Sequence, residues 1–207
     1  MSKTKRQEVL MTSSLQEFEH QKFKSLSGID NSKKGSIDQP IIDLVSFINN
    51  LNDFFTTSSC SGRIAVISEG DARKKGCNWL YMSHATSSQS DIVKAVKDSI
   101  DSATATFKYE AFVLHVQCKT LDKAQKMLQS ALQAGFRNSG LVIGKKKRIM
   151  LAVRSTHAME VPLVLKGKLM VSEEYIANIV EICNEKLEEN FKRIDRFYNA
   201  LKAVFQV

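Results

Sequence analysis

Phe107-Lys108-Tyr109-Glu110-Ala111-Phe112-Val113-Leu114-His115-Val116-Gln117-Cys118 reads as one long β-strand. Phe112, Leu114, Val116 and Cys118 share one face while Val113, His115 and Gln117 share the other, the two-residue period of a pleated chain. Behind it, Thr120 begins a helix and Gly135 is placed to stop it in the left-handed conformation. Two short strands follow, Leu141 to Ile143 and Ile149 to Val153, joined through Gly144 and Lys145-Lys146-Lys147-Arg148. Val161-Pro162-Leu163 reads as a final edge strand, because Pro cannot donate to a ladder.

Upstream, Thr4 with Gln7 fits a capping box, and Met11, Leu15 and Phe18 recur at helical spacing to about Phe23. Asp38 and Pro40 suit the start of a second helix. Phe54 to Cys60 and Ile64 to Ile67 have strand composition and meet at Ser61-Gly62-Arg63, and Trp79 to His84 is a third strand with Trp79 and Tyr81 on the same side. Ser88 with Asp91 caps a further helix. From Ser172 no Gly or Pro interrupts a helical pattern, so one helix of about 35 residues, roughly 50 Å long, is expected, and it could pair with a second copy of itself as a homodimer. Helices and strands mix without regular βαβ alternation. The expectation is therefore an α+β fold: one compact domain over 1–207, a mixed, mostly antiparallel sheet flanked by helices, an N-terminal helix and loop in 1–30, a long C-terminal helix in 172–206, and no Rossmann-type sheet.

The chain has 207 residues, with 30 Lys and Arg against 22 Asp and Glu, a net charge of +8. Arg137, Lys145, Lys146, Lys147, Arg148 and Arg154 fall in one stretch without an acid, so most of the surplus sits there. Such a cluster attracts polyanions, although a lysine run is also an ordinary solvated hairpin tip. The polar start of the chain suggests no secretory signal, and no apolar run is long enough for a bilayer, so a soluble, cytoplasmic protein is expected. Cys60, Cys77, Cys118 and Cys183 form no Cys-x-x-Cys pair, and free thiols without a metal site are expected.

Nucleotide-binding and hydrolase motifs are missing. Gly140 to Lys145 has the wrong glycine spacing for a P-loop, and neither Gly-x-Gly-x-x-Gly nor Gly-x-Ser-x-Gly occurs. What stands out is Thr56-Thr57-Ser58-Ser59-Cys60-Ser61-Gly62-Arg63, where hydroxyls, a glycine and a guanidinium could cradle a carboxylate or phosphate, or simply form a strand end and a tight turn. Phe136-Arg137-Asn138-Ser139-Gly140 is a second polar turn, whose Arg137 could equally compensate a helix dipole.

Taken in order, Phe55 to Ile64, Phe112 to Cys118, Gly135 to Gly140 and Ala152-Val153-Arg154-Ser155-Thr156-His157 resemble the tRNA wybutosine-synthesising protein 3 family, of eukaryotic type. Glu160 to Leu163, Gly167 to Val171 and Arg196-Phe197-Tyr198-Asn199 continue the likeness. The resemblance implies an S-adenosylmethionine-dependent methyltransferase, non-Rossmann in fold. Its implied reaction is methylation of the N-4 nitrogen of 7-aminocarboxypropyl-demethylwyosine in the anticodon loop of phenylalanine tRNA. A non-catalytic tRNA-binding module of the same pathway is the alternative. On this reading Ser59, Ser61 and Arg63 form one polar pocket and Arg137, Asn138 and Ser139 a facing one, with Arg154 and His115 between them, for cofactor. His115 is the first candidate proton acceptor and His84 the second. Trp79, Tyr81, Lys145, Lys146, Lys147 and Arg148 are the candidate RNA contacts.

Overall fold

The computed structural model describes residues 16–27, 36–69, 77–98, 104–145 and 148–205. The expected cap at Thr4 and Gln7, the helical positions Met11 and Leu15, and Lys146 and Lys147 lie outside the described residues. The chain divides into two compact units, one of 16–59, 114–153 and 197–205, the other of 60–113 and 154–196 among the described residues.

The first unit carries a four-stranded sheet in the order β1 (Phe54–Cys60), β5 (Val113–Cys118), β7 (Ile149–Arg154), β6 (Gly140–Ile143). Its apolar positions are the alternating ones, with Leu114, Val116, Leu151 and Val153 fully buried. Helices α1 (16–27), α2 (Ile42–Asn50) and α4 (Leu121–Gln133) belong to the same unit. Thr120 Oγ1 accepts from Lys123 N at 3.3 Å and starts α4. Gly135, at φ 103°, ends it, with Gly135 N donating to Leu132 O and Phe136 N to Ala131 O, the paired bonds of a Schellman stop. That stop turns Phe136 inward, where its ring meets Phe197 edge-on at 6.0 Å.

The second unit carries a five-stranded sheet in the order β3 (Cys77–Ser83), β2 (Arg63–Glu69), β4 (Thr104–Glu110), β8 (Ala158–Leu165), β9 (Lys168–Leu169). Each neighbouring pair runs antiparallel. Ile64, Val66, Phe107, Tyr109, Leu163 and Val164 on its inner face form one buried cluster with Ile92 and Val96 of α3 (Gln89–Lys97) and with Ile176, Val180, Cys183 and Leu187 of α5 (Glu173–Phe205). Burial pushes the Cys183 thiol up to about 11, and the buried Tyr109 phenol is pushed up as well while its hydroxyl donates to Lys186 O at 3.0 Å. Residues 173–196 of α5 belong to this unit and 197–205 to the first.

The α+β architecture, the antiparallel pairing and the long C-terminal helix match expectation, and three details do not. The stretch from Phe107 to Cys118 is two strands in different sheets. Burial follows odd positions through Ala105, Phe107 and Tyr109, then even positions through Phe112, Leu114, Val116 and Cys118. That change of phase turns the apolar side over at Ala111, so a single strand would expose half of its apolar residues. The segment with Pro162 is not the final strand, since β9 follows it. The short β9 pairs with Val164 and Leu165, while Pro162 pairs with Thr106 of β4 next to a bulge at Ala105/Thr106. Finally, a bulge at Val66/Ile67 places Tyr81 opposite Val66 and Trp79 opposite Ile67, on opposite faces of β3.

Candidate functional site

In the second unit the turn between β1 and β2 is built by Ser61 and Gly62, both buried. Gly62 has φ 101°, and a Cβ there would lie 3.0 Å from Asn190 Nδ2, 3.2 Å from Glu110 O and 3.3 Å from Phe112 N. Only glycine meets both demands. Ser83 pairs with Ile64, which brings His84, one residue on, abreast of this turn. His84 Nδ1 lies 2.8 Å from Gly62 O and 3.3 Å from Ser61 Oγ. A carbonyl only accepts, so Nδ1 carries a proton, and in the neutral ring the lone pair is on Nε2. Cys60 Sγ is within 4.8 Å of a His84 ring nitrogen.

Arg63 leaves the turn on the outer face of the sheet. Its Nε is 2.6 Å from Glu110 Oε2, directly opposite in register, and its Cζ stands 4.6 Å from the centroid of the Trp79 ring. Trp79 remains 39% exposed, and Met82, opposite Ala65 on the same face, is exposed as well. Tyr81 points the other way, packs on the core cluster and donates its hydroxyl to Ser87 Oγ at 2.9 Å. It therefore cannot serve as a stacking surface beside Trp79.

Two asparagines of α5 hold the backbone around His84. Asn190, 2% exposed, donates from Nδ2 to Ser61 O and accepts at Oδ1 from Phe112 N, both at 2.8 Å. Asn184 accepts from Ser87 N and donates to Ser87 O, both at 2.9 Å. Neither was singled out from sequence. The signal was there for Asn190: it interrupts the apolar stripe of Cys183, Leu187, Ile194, Phe197 and Leu201, where an amide needs partners to be tolerated.

Arg154, at the end of β7, is exposed, and it begins the segment leading to His157. Arg193 Nη2 donates to His157 Nε2 at 3.2 Å. Burial, with the Arg193 cation beside it, holds this imidazole below its usual range. Hydrogen bonds from Arg196 and Arg193 hold the Glu189 carboxyl below the usual carboxylate range.

In the first unit, the hydroxyl run on β1 faces β5. Asn49 Oδ1 accepts from Thr56 N at 2.8 Å, Thr57 Oγ1 donates to His115 O at 3.3 Å, and Ser58 Oγ lies 2.8 Å from His115 Nδ1. A hydroxyl can donate or accept, so this contact leaves the His115 tautomer open. Ser59 is half-buried at the end of this run. Arg137 and Asn138 are exposed, whereas the Ser139 hydroxyl donates back to Phe136 O at 2.7 Å and closes its own turn. Lys145 and Arg148 are exposed on the β6–β7 hairpin, where Gly144 N donates to Arg148 O at 2.8 Å. The two polar turns thus belong to different units. Among the described residues no helix is long and apolar enough to cross a membrane.

The family model described as Methyltransferase TYW3 matches residues 12–203. A human protein named tRNA wybutosine-synthesizing protein 3 homolog is 48% identical over 190 residues, covering 90% of this chain and 73% of the relative. An Arabidopsis thaliana protein named tRNA wybutosine-synthesizing protein 2/3/4 is 40% identical over 89% of this chain and 21% of its own length. A solved Pyrococcus horikoshii structure superposes with a TM-score of 0.81 at 33% identity, covering 89% of this chain and 96% of that one. Its Aeropyrum pernix counterpart gives 0.70 at 25% identity, over 82% and 100%. A family match along nearly the whole chain and relatives at this identity lead to one conclusion: this chain belongs to the Methyltransferase TYW3 family, and it is a methyltransferase of tRNA wybutosine synthesis.

Proposed function

We propose that the chain methylates the N-4 ring nitrogen of 7-aminocarboxypropyl-demethylwyosine in the anticodon loop of phenylalanine tRNA, in the cytoplasm, with S-adenosylmethionine as methyl donor. The observation that supports this best is the His84 imidazole held in one tautomer by the Gly62 carbonyl, beside the Arg63 and Trp79 pair. The chemistry of this donor set fits the cofactor. The guanidinium of Arg63 suits a carboxylate, and the Trp79 ring suits a purine or a tricyclic base. When bound, S-adenosylmethionine supplies the electrophilic methyl group.

Methylation of a ring N–H requires the proton to leave. His84 Nε2, which carries the lone pair of the neutral ring when Nδ1–H donates to the carbonyl, accepts it in this reading, a role that typically contributes about 10²–10⁴-fold. The geometry reorders the two histidines: His84 has a fixed tautomer, whereas the hydroxyl partner of His115 fixes none. Of the two β3 aromatics, the exposed Trp79 is the one read as stacking an extruded base, worth about 1–3 kcal/mol. Lys145 and Arg148, both exposed, are read as phosphate contacts, together with Lys146 and Lys147.

Calorimetry with S-adenosylmethionine in the absence of RNA tests the assignment. Saturable binding to the isolated protein is expected. A tRNA-binding module without catalysis would give no heat with the cofactor and would still bind tRNA.

A further inference from the structure

We infer that Asn190 and Asn184 of α5 form a two-point amide clamp that positions His84, and so act on methyl transfer without touching substrate. This rests on the reading of His84 as the proton acceptor. Asn190 fixes the turn that the imidazole contacts, and Asn184 fixes the chain that follows it. Asn190 binds the carbonyl of Ser61, the residue before the Gly62 carbonyl that holds His84 Nδ1, and Asn184 binds both backbone groups of Ser87, three residues after His84. The two lie six positions apart on a helix packed into the core through Cys183 and Leu187, so their spacing is rigid.

The turn of Ser61 and Gly62 is braced directly by Asn190. Its positive φ is open to Gly62 because of its missing Cβ, and the space a side chain would fill is taken by the Asn190 amide. Asn190 also ties the Ser61 carbonyl to the Phe112 amide, joining the bend after β1 to the bend between β4 and β5. A single buried side chain that bonds one acceptor and one donor from two separate bends sets their relative placement, because releasing it removes a hydrogen bond from each bend at once. Asn184 does the same for the segment that follows His84, and the Tyr81 hydroxyl supports it from the sheet.

The test uses the full chain with Asn190→Ala, Asn184→Ala and His84→Gln, precursor tRNA and S-adenosylmethionine. The His84 tautomer is read by two-dimensional ¹⁵N NMR of the histidine ring nitrogens, and kcat and KM are measured separately. Each asparagine variant is expected to lower kcat by about 10- to 100-fold, as small misplacements of a reacting group do, with KM for the methyl donor within about twofold. The Nδ1–H signal of His84 is expected to give way to a mixture of tautomers. Should Asn190→Ala fail to fold, Asn184→Ala carries the same test, because its amide holds the one residue Ser87, in a loop whose neighbours Ala85, Thr86 and Ser88 are exposed, and does not join two bends. Folded asparagine variants with the wild-type tautomer and wild-type kcat would overturn the clamp. Wild-type turnover in His84→Gln would instead remove His84 as the proton acceptor, while the NMR readout would still decide whether the asparagines orient the ring.

Discussion

Replacing Gly62 by Ala strikes the turn where conformation and packing coincide. At φ 101° an L-residue pays about 1–2 kcal/mol in backbone strain. The added methyl would also sit 3.0 Å from Asn190 Nδ2, 3.2 Å from Glu110 O and 3.3 Å from Phe112 N, all tighter than ordinary contact. Two of these neighbours are backbone and the third is a buried amide held at both ends, so none can yield cheaply; overpacking of this kind costs about 1–3 kcal/mol. Together the loss is about 2–5 kcal/mol, or roughly 4–20 °C in melting temperature for a chain of this size. Gly140→Ala is the matched control, because a Cβ there meets nothing within 4 Å. Thermal melts of the two variants alongside turnover with precursor tRNA check the reasoning. Gly62→Ala should melt well below wild type and lose turnover at temperatures where it is still folded, while Gly140→Ala keeps both. Equal melting of the two variants, with turnover intact in Gly62→Ala, would refute it.

His84→Gln is expected to lower kcat by about 10²–10⁴-fold with calorimetric affinity for the methyl donor retained, and His115→Gln to have the smaller effect of the two. Lys145→Gln combined with Arg148→Gln should weaken tRNA binding and flatten the slope of log K against log salt by about 1.4–1.8, leaving donor binding unchanged, as filter binding across a salt series would show. Burial pushes the Cys118 thiol up to about 12 and the Cys183 thiol up to about 11, from an ordinary 9.0. Because the folded values are raised, the neutral thiols support the fold fully below pH 9.0, and that support is lost as pH rises toward 11 to 12. Urea melts between pH 8 and 11 should therefore show falling stability, with a shallower fall in Cys118→Ala.

Much of this was readable before any coordinates. Helix α4, with its Thr120 cap and Gly135 stop, the β6–β7 hairpin and the long α5 follow from local rules of capping, turn chemistry and period, which act within a few residues. The break inside Phe107 to Cys118 was also written in the residues, as an apolar parity that changes across Ala111, but alternation alone does not reveal which sheet each half joins. Trp79 and Tyr81 were assigned one face because an uninterrupted strand places i and i+2 together. The bulge beside Val66 arises from pairing with another strand, which no local pattern encodes. The candidate site divides in the same way. Ser61, Gly62 and Arg63 could be picked out by composition, whereas the partners that give them meaning, Glu110, His84 and Asn190, come from distant segments brought in by the sheet and by α5.

Mass spectrometry of nucleosides from precursor tRNA, after incubation with the purified chain and S-adenosylmethionine, addresses the activity itself. The account predicts that 7-aminocarboxypropyl-demethylwyosine gains one methyl group, mapped by fragmentation to the N-4 ring nitrogen, and that His84→Gln forms far less of this product. An unchanged base, or a methyl group on another atom, would contradict it.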